Sequence, residues 1–95
     1  MKRVLVFILT LAMVFLFIGC GNKIDTMERI KGNNKIIWGT NAAFAPFEMR
    51  EGDQVIGIDA EIAKRIADKL GVELVVEDME FDALLPALVS GKIDF

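Results

Sequence analysis

The chain contains no histidine and no tyrosine, and it has one cysteine, one tryptophan and two prolines in 95 residues. Without histidine, the Ser-His-Asp and Cys-His arrangements that activate a nucleophile are excluded. So are the usual zinc ligand sets, which a single cysteine does not fill. One cysteine also excludes an intramolecular disulfide. There is no excess of positive charge: 11 Lys and Arg stand against 14 Asp and Glu, a formal net charge of −3. That balance lacks the basic footprint of nucleic-acid binding. What the sequence does have is apolar residues, 54% of the total, and 15 of them fall within the first 19 positions. The other 76 residues carry an ordinary globular share, which argues against disorder. They number fewer than the roughly 100 to 150 most common for one domain, so one small domain, or part of one, is the bound.

Lys2 and Arg3 precede Val4 to Ile18, a run in which Thr10 alone is polar, and Gly19-Cys20-Gly21-Asn22 closes it. A charged start, an apolar stretch and small residues at the end follow the grammar of a signal peptide. Fifteen helical residues reach roughly 22 Å, short of the ~30 Å hydrocarbon core that a permanent span crosses. The segment Phe17-Ile18-Gly19-Cys20 resembles the bacterial lipobox, in which a cysteine after a small residue takes a diacylglyceryl thioether and becomes the acylated N-terminus. Phe17 departs from the usual leucine. Residues 1–19 are therefore read as a lipoprotein signal peptide, and residues 20–34 as a lipid-anchored tether with a short helix. Loss of Lys2 and Arg3 would leave a net charge of −5 on the mature chain.

Asp25 with Glu28 has capping-box spacing, and Gly32-Asn33-Asn34 stops the helix that begins there. Residues 35–39 form a short apolar run that reads as a buried strand. Residues 47–50 and 54–56, around Glu51-Gly52-Asp53, read as a small hairpin. Asp59 is expected to cap a helix with apolar positions Ile62, Ala63, Ile66, Ala67 and Leu70, ended by Gly71. Residues 72–77 read as a second strand, 82–90 as a second helix containing Pro86, and 93–95 as the start of another strand. Strand, helix, strand, helix, strand is the pattern of an α/β fold with a parallel sheet flanked by helices. A chain that stops three residues into a strand is expected to be a truncated piece.

Two motifs fail on inspection. Gly52 to Gly57 has the glycine separation of a phosphate-binding loop, but Ile58-Asp59 stands where Lys and Ser or Thr are needed. Asp78, Glu80 and Asp82 imitate the first calcium ligands of an EF-hand, but Ala83 replaces the glycine and Val89 the closing glutamate. Nothing else asks for a metal or a cofactor. The better site comes from topology, because ligands of open parallel sheets bind outside the carboxyl ends of the strands. There, residues 40–47 offer Asn41 and Phe44, and residues 77–81 offer Phe81. The two rings are candidate walls of a slot for a small ligand, with Asn41 hydrogen bonding at one end. Core packing is the competing reading for both rings, and the expected role of Trp38 and Phe47.

Three stretches carry a resemblance to a known family: Trp38-Gly39-Thr40-Asn41-Ala42-Ala43-Phe44-Ala45-Pro46-Phe47-Glu48; Gly57-Ile58-Asp59-Ala60-Glu61-Ile62 with Ile66-Ala67 and Leu70; and residues 81–88 with Gly91-Lys92-Ile93-Asp94. In this order, behind a lipobox, they resemble the N-terminal part of bacterial extracellular solute-binding proteins of family 3, the polar amino-acid receptors of ABC importers. Ala60 departs slightly, since a larger aliphatic residue or threonine is usual there. The resemblance implies a type II periplasmic-binding-protein fold, with residues 35–95 forming the N-terminal part of lobe 1. It also implies a monomeric receptor that is not an enzyme, outside the cytoplasmic membrane, handing an amino acid to a permease. Positions matching Asn41, Phe44 and Phe81 line the first lobe's side of the cleft, and the arginine that takes the ligand carboxylate falls beyond Phe95. Neutral Asn41, where a carboxylate is common, makes a cationic ligand the less expected one. The alternatives are a periplasmic enzyme on the same fold, dehydratase-like or a cell-wall lytic module, and a ligand-sensing ectodomain of a signalling protein.

Cys20 is expected to carry lipid, because one acyl chain holds a protein only marginally whereas diacylation retains it firmly. Labelled fatty acid should enter the wild-type protein and not Cys20→Ala; equal labelling of the two would refute the assignment.

Overall fold

A computed structural model describes residues 1–15 and 25–95. Cys20, the expected lipidation site, lies outside the described residues. Helix α1, Lys2–Phe15, is largely apolar. Among the described residues, no helix is long and apolar enough to cross a membrane.

From residue 25 the chain folds as the local signals require. Asp25 caps α2, Thr26–Asn33, by accepting the Met27 N–H, and Asn34 ends the helix in the left-handed conformation. Strand β1, Lys35–Thr40, alternates in burial, with Ile36, Trp38 and Thr40 inward. It pairs in parallel with β5, Glu73–Asp78, in a register that sets Lys35 beside Glu73 and Thr40 beside Asp78. On the other edge of β1, the Asp94 N–H donates to the Ile37 carbonyl at 2.8 Å and the Gly39 N–H to the Phe95 carbonyl at 2.9 Å. Residues 94 and 95 thus lie alongside β1, as the expected third strand would. β1 is therefore central, and strand order reverses about it.

Between β1 and β5 run a small antiparallel sheet and a helix. The sheet comprises β2 (Ala43–Phe44), β3 (Glu48–Glu51) and β4 (Gln54–Ile56), in that order. The hairpin was legible in the sequence and β2 was not. Gly52, with φ of 61°, makes the turn and no phosphate cradle. Helix α3, Ile58–Leu70, lies on β1 and β5, and helix α4, Phe81–Ser90, lies on β1.

Three expectations need correction. Asp59 does not cap α3: Gly57 is the N-cap, and no side chain bonds there. The first helical N–H groups, of Ile58 and Asp59, instead donate to the carbonyls of Pro46 and Phe47, so the loop does the work of a capping side chain. Gly57 is required at that junction, because its φ is 125° and a Cβ would collide with the Phe47 carbonyl. Phe47 is 48% exposed and is not core, whereas Trp38, at 8%, is. Helix α3 buries Ala63 and Ala67, small enough for a close approach to the sheet, and leaves Ile62 and Ile66 exposed. Pro86 lies in the second turn of α4, where its missing N–H removes one hydrogen bond.

The core joins Ile30, Ile36 and Ala67, with Leu70, Val72, Leu74 and Phe95 packed against them. Beside it, the 4%-exposed Asp94 carboxylate accepts from the Arg29 guanidinium and, at 2.9 Å, from the Ile37 N–H. One side chain thereby joins α2, β1 and the third strand. Asp94→Ala strands an amide and a guanidinium together, and should cost about 2 to 4 kcal/mol. The value falls short of that for a fully buried pair because Arg29 stays about a third exposed. Phe47→Ala should cost only about 1 to 2 kcal/mol, in proportion to the half of its ring surface that is buried. Chemical denaturation of the two variants checks the order; a larger loss for Phe47→Ala would contradict it.

Candidate functional site

The register of the parallel pair builds the site. With Thr40 beside Asp78, the Met79 N–H donates to the Thr40 carbonyl at 2.8 Å, and Asn41 Nδ2 donates to the Met79 carbonyl at 3.1 Å. Asn41, expected as a ligand contact, therefore spends one amide N–H on the fold and keeps the other N–H and Oδ1. Phe44 lies on β2 and is 67% exposed. Phe81 belongs to no loop, being the first residue of α4, and is 75% exposed. The core reading of these two rings is thus not met, and both are available to a ligand.

What the sequence reading missed is Glu48. It stands directly opposite Phe44 in the β2–β3 ladder. Paired residues share a face, with Cβ atoms about 4.5 to 5.5 Å apart, so Glu48 and Phe44 project from the same face of the small sheet. A cavity of about 370 Å³ at this end of β1 is lined by Glu48 with Thr40, Asp59, Leu84 and Phe95 among others. Asn41, Phe44 and Phe81 do not line it. Burial pushes the Glu48 carboxyl above the ordinary glutamate range, and the Asp59 and Asp78 carboxylates push it further. Asp78 behaves in the opposite way: the Ala42 N–H, and then Arg50, hold its carboxyl below the ordinary range. Glu48 has no ion pair among the described residues while neighbouring carboxylates raise its carboxyl, and a cation placed there would relieve it. The signal for Glu48 was a cross-strand pairing, which no local pattern in the sequence announces.

Residues 36–95 match the profile of bacterial extracellular solute-binding proteins, family 3. The chain belongs to this family. It is 39% identical over 94 residues to the arginine-binding extracellular protein ArtP of Bacillus subtilis (strain 168), an alignment covering 99% of this chain and 36% of ArtP. Among solved structures, the arginine-bound form of domain 1 from TmArgBP, of T. maritima, superposes with a TM-score of 0.65 at 44% identity, covering 68% of this chain and 52% of that one. The ancestral amino acid-binding protein AncCDT-1, a precursor of cyclohexadienyl dehydratase, superposes at 0.70 with 31% identity, covering 74% and 32%. The chain thus spans about a third of the length of its relative ArtP.

A raised carboxyl costs stability wherever it is ionised. The folded state holds the Glu48 proton to higher pH than the unfolded chain does, so stability falls as pH rises from the unfolded to the folded pKa. Glu48→Gln should therefore melt at a higher temperature than wild type at pH 7, with the gain closing as pH drops through the raised pKa. Thermal scans between pH 8 and pH 4 read this directly; a lower melting temperature at pH 7 would mean that Glu48 is well partnered.

Proposed function

We propose that this chain is the ligand-gripping part of a lipid-anchored receptor, which captures a cationic amino acid, arginine foremost, outside the cytoplasmic membrane and passes it to an ABC importer. The observation that carries the reading is Glu48, the cross-strand partner of Phe44 at the point where strand order reverses, whose carboxyl is raised by burial and by the Asp59 and Asp78 carboxylates. Two exposed phenyl faces suit a guanidinium, which stacks on aromatic rings and is only weakly hydrated. Glu48 supplies the charge. Neutral Asn41 argued for an uncharged ligand only while it was taken as the site's charge-determining group. With its Nδ2 bonded to Met79, that inference lapses. The arginine-binding names of ArtP and TmArgBP support the same choice. The Lys2–Phe15 leader and Gly19-Cys20 support export and lipidation.

The enzyme alternative has two relatives in its favour: a variant of the ancestral cyclohexadienyl dehydratase AncCDT-3, 28% identical with a TM-score of 0.66, and the dehydratase precursor AncCDT-1, which is itself described as amino acid-binding. Binding is the reading that the more similar relatives, ArtP and TmArgBP, support at 39% and 44% identity. It also accounts for Glu48 without requiring a general acid.

Calorimetric titration of the protein expressed from its complete reading frame, with L-arginine, L-lysine, L-histidine, L-glutamine and L-glutamate, tests the proposal. L-Arginine should bind tightest. Phe81→Ala should weaken it by about 1 to 3 kcal/mol, and Glu48→Gln should weaken L-arginine more than L-glutamine. Asn41→Asp should lower the melting temperature, because it sets an oxygen against the Met79 carbonyl. Preference for L-glutamate, or no saturable binding, would sink the assignment.

A further inference from the structure

Asp78 and Arg50 have no part in the ligand contacts just described, yet they meet where the slot joins the sheet. Asp78 closes β5. One of its carboxylate oxygens accepts the Ala42 N–H at 3.0 Å, and the other accepts the Arg50 Nε–H at 2.6 Å. Arg50 sits on β3, the strand that pairs with β2 and so carries Phe44. Phe81 follows Asp78 by three residues. A single carboxylate thus spans the slot loop, the hairpin and the segment that leads into the second aromatic wall.

We propose that Asp78 is the positioning residue of the slot, its clamp on Ala42 and Arg50 fixing the separation of the Phe44 and Phe81 walls. The inference rests on the binding function proposed above. Strand β2 is two residues long and pairs with β3 alone, so its own ladder does not attach it to the parallel sheet. The base of the hairpin is tied to α3 through the Pro46 and Phe47 carbonyls. The Phe44 end is held to β5 and the loop after it by Asn41 and by the two bonds to Asp78. An exposed ion pair adds little to stability by itself; here its consequence is orientation. A wall displaced by a fraction of an ångström loses stacking on a planar ligand without unfolding anything. The depressed Asp78 carboxyl stays ionised in neutral solution, so the clamp is set before a ligand arrives.

The test compares Arg50→Gln, Arg50→Lys and Asp78→Ala with wild type in the protein expressed from its complete reading frame. L-Arginine affinity, melting temperature and amide exchange in the ligand-free protein are read together. Arg50→Gln and Asp78→Ala should each weaken L-arginine by about tenfold, and Arg50→Lys should recover all but about twofold. The Ala42 amide should exchange faster in Asp78→Ala, with the Ile37 amide, held by Asp94, unchanged. Unaltered affinity in both Arg50→Gln and Asp78→Ala overturns the proposal, as does an affinity loss that disappears well below the melting temperature. If wild type binds no amino acid while Ala42 exchange still accelerates in Asp78→Ala, the binding function fails and the clamp stands. If exchange at Ala42 does not change, the clamp fails whatever the affinities.

Discussion

The parallel register between β1 and β5 is the constraint on which the ligand end depends. It sets Thr40 beside Asp78, and three further hydrogen bonds follow from that one alignment: Met79 to Thr40, Asn41 to Met79, and Ala42 to Asp78. A slip by one residue would reverse the faces of β5 and carry Asp78 away from Ala42. The register is in turn protected from the opposite edge. There Asp94 bonds Ile37 through both its backbone and its side chain while pairing with Arg29. Alignment of β1 from both sides thus precedes any geometry at the slot.

How far the sequence could be read depended on the range of each interaction. Helix α3, the hairpin turn at Gly52 and the stop at Gly71 are written locally, in periodicity and in glycines that take a positive φ. The family resemblance likewise rests on contiguous motifs, and the match over residues 36–95 agrees with it. What escaped was tertiary. Strand β2 is two residues long and has no periodicity to detect; it exists because β3 is beside it. Asp59 has the right chemistry for a cap and lost that role to the carbonyls of Pro46 and Phe47, each twelve residues before the N–H it accepts. Phe47 was assigned to the core on size alone, a rule that fails where the chain turns outward. Glu48 became visible as a site residue only after β2 supplied its neighbour.

The electrostatics of the site divide three neighbouring acids into different roles. Asp78 is satisfied by an amide and a guanidinium, and its charge is stabilised. Asp59 belongs to the first turn of α3, where the helix dipole favours an anion. Glu48 has neither compensation and feels both of the others. Unequal treatment of like groups is a common way for a protein to reserve one of them for a partner, at some expense in stability. We propose that the partner reserved here carries positive charge. That proposal departs from the preference inferred from Asn41, because a neutral amide already bonded to the main chain says little about the charge of what lies beyond it.

Exposure of the two rings follows the same logic. Phe44 and Phe81 leave most of their surface in water, which the hydrophobic effect disfavours. Neither can simply rotate inward. Phe44 is fixed by pairing with Glu48, and Phe81 opens a helix whose buried residue is Ala87, further along. The backbone therefore holds both apolar faces outward. A guanidinium answers these faces and the Glu48 carboxylate at once, since its flat face is poorly hydrated and its edge donates to carboxylates. An aliphatic ammonium satisfies the acid and leaves the rings less well covered. That asymmetry is the physical reason we propose arginine ahead of lysine as the ligand.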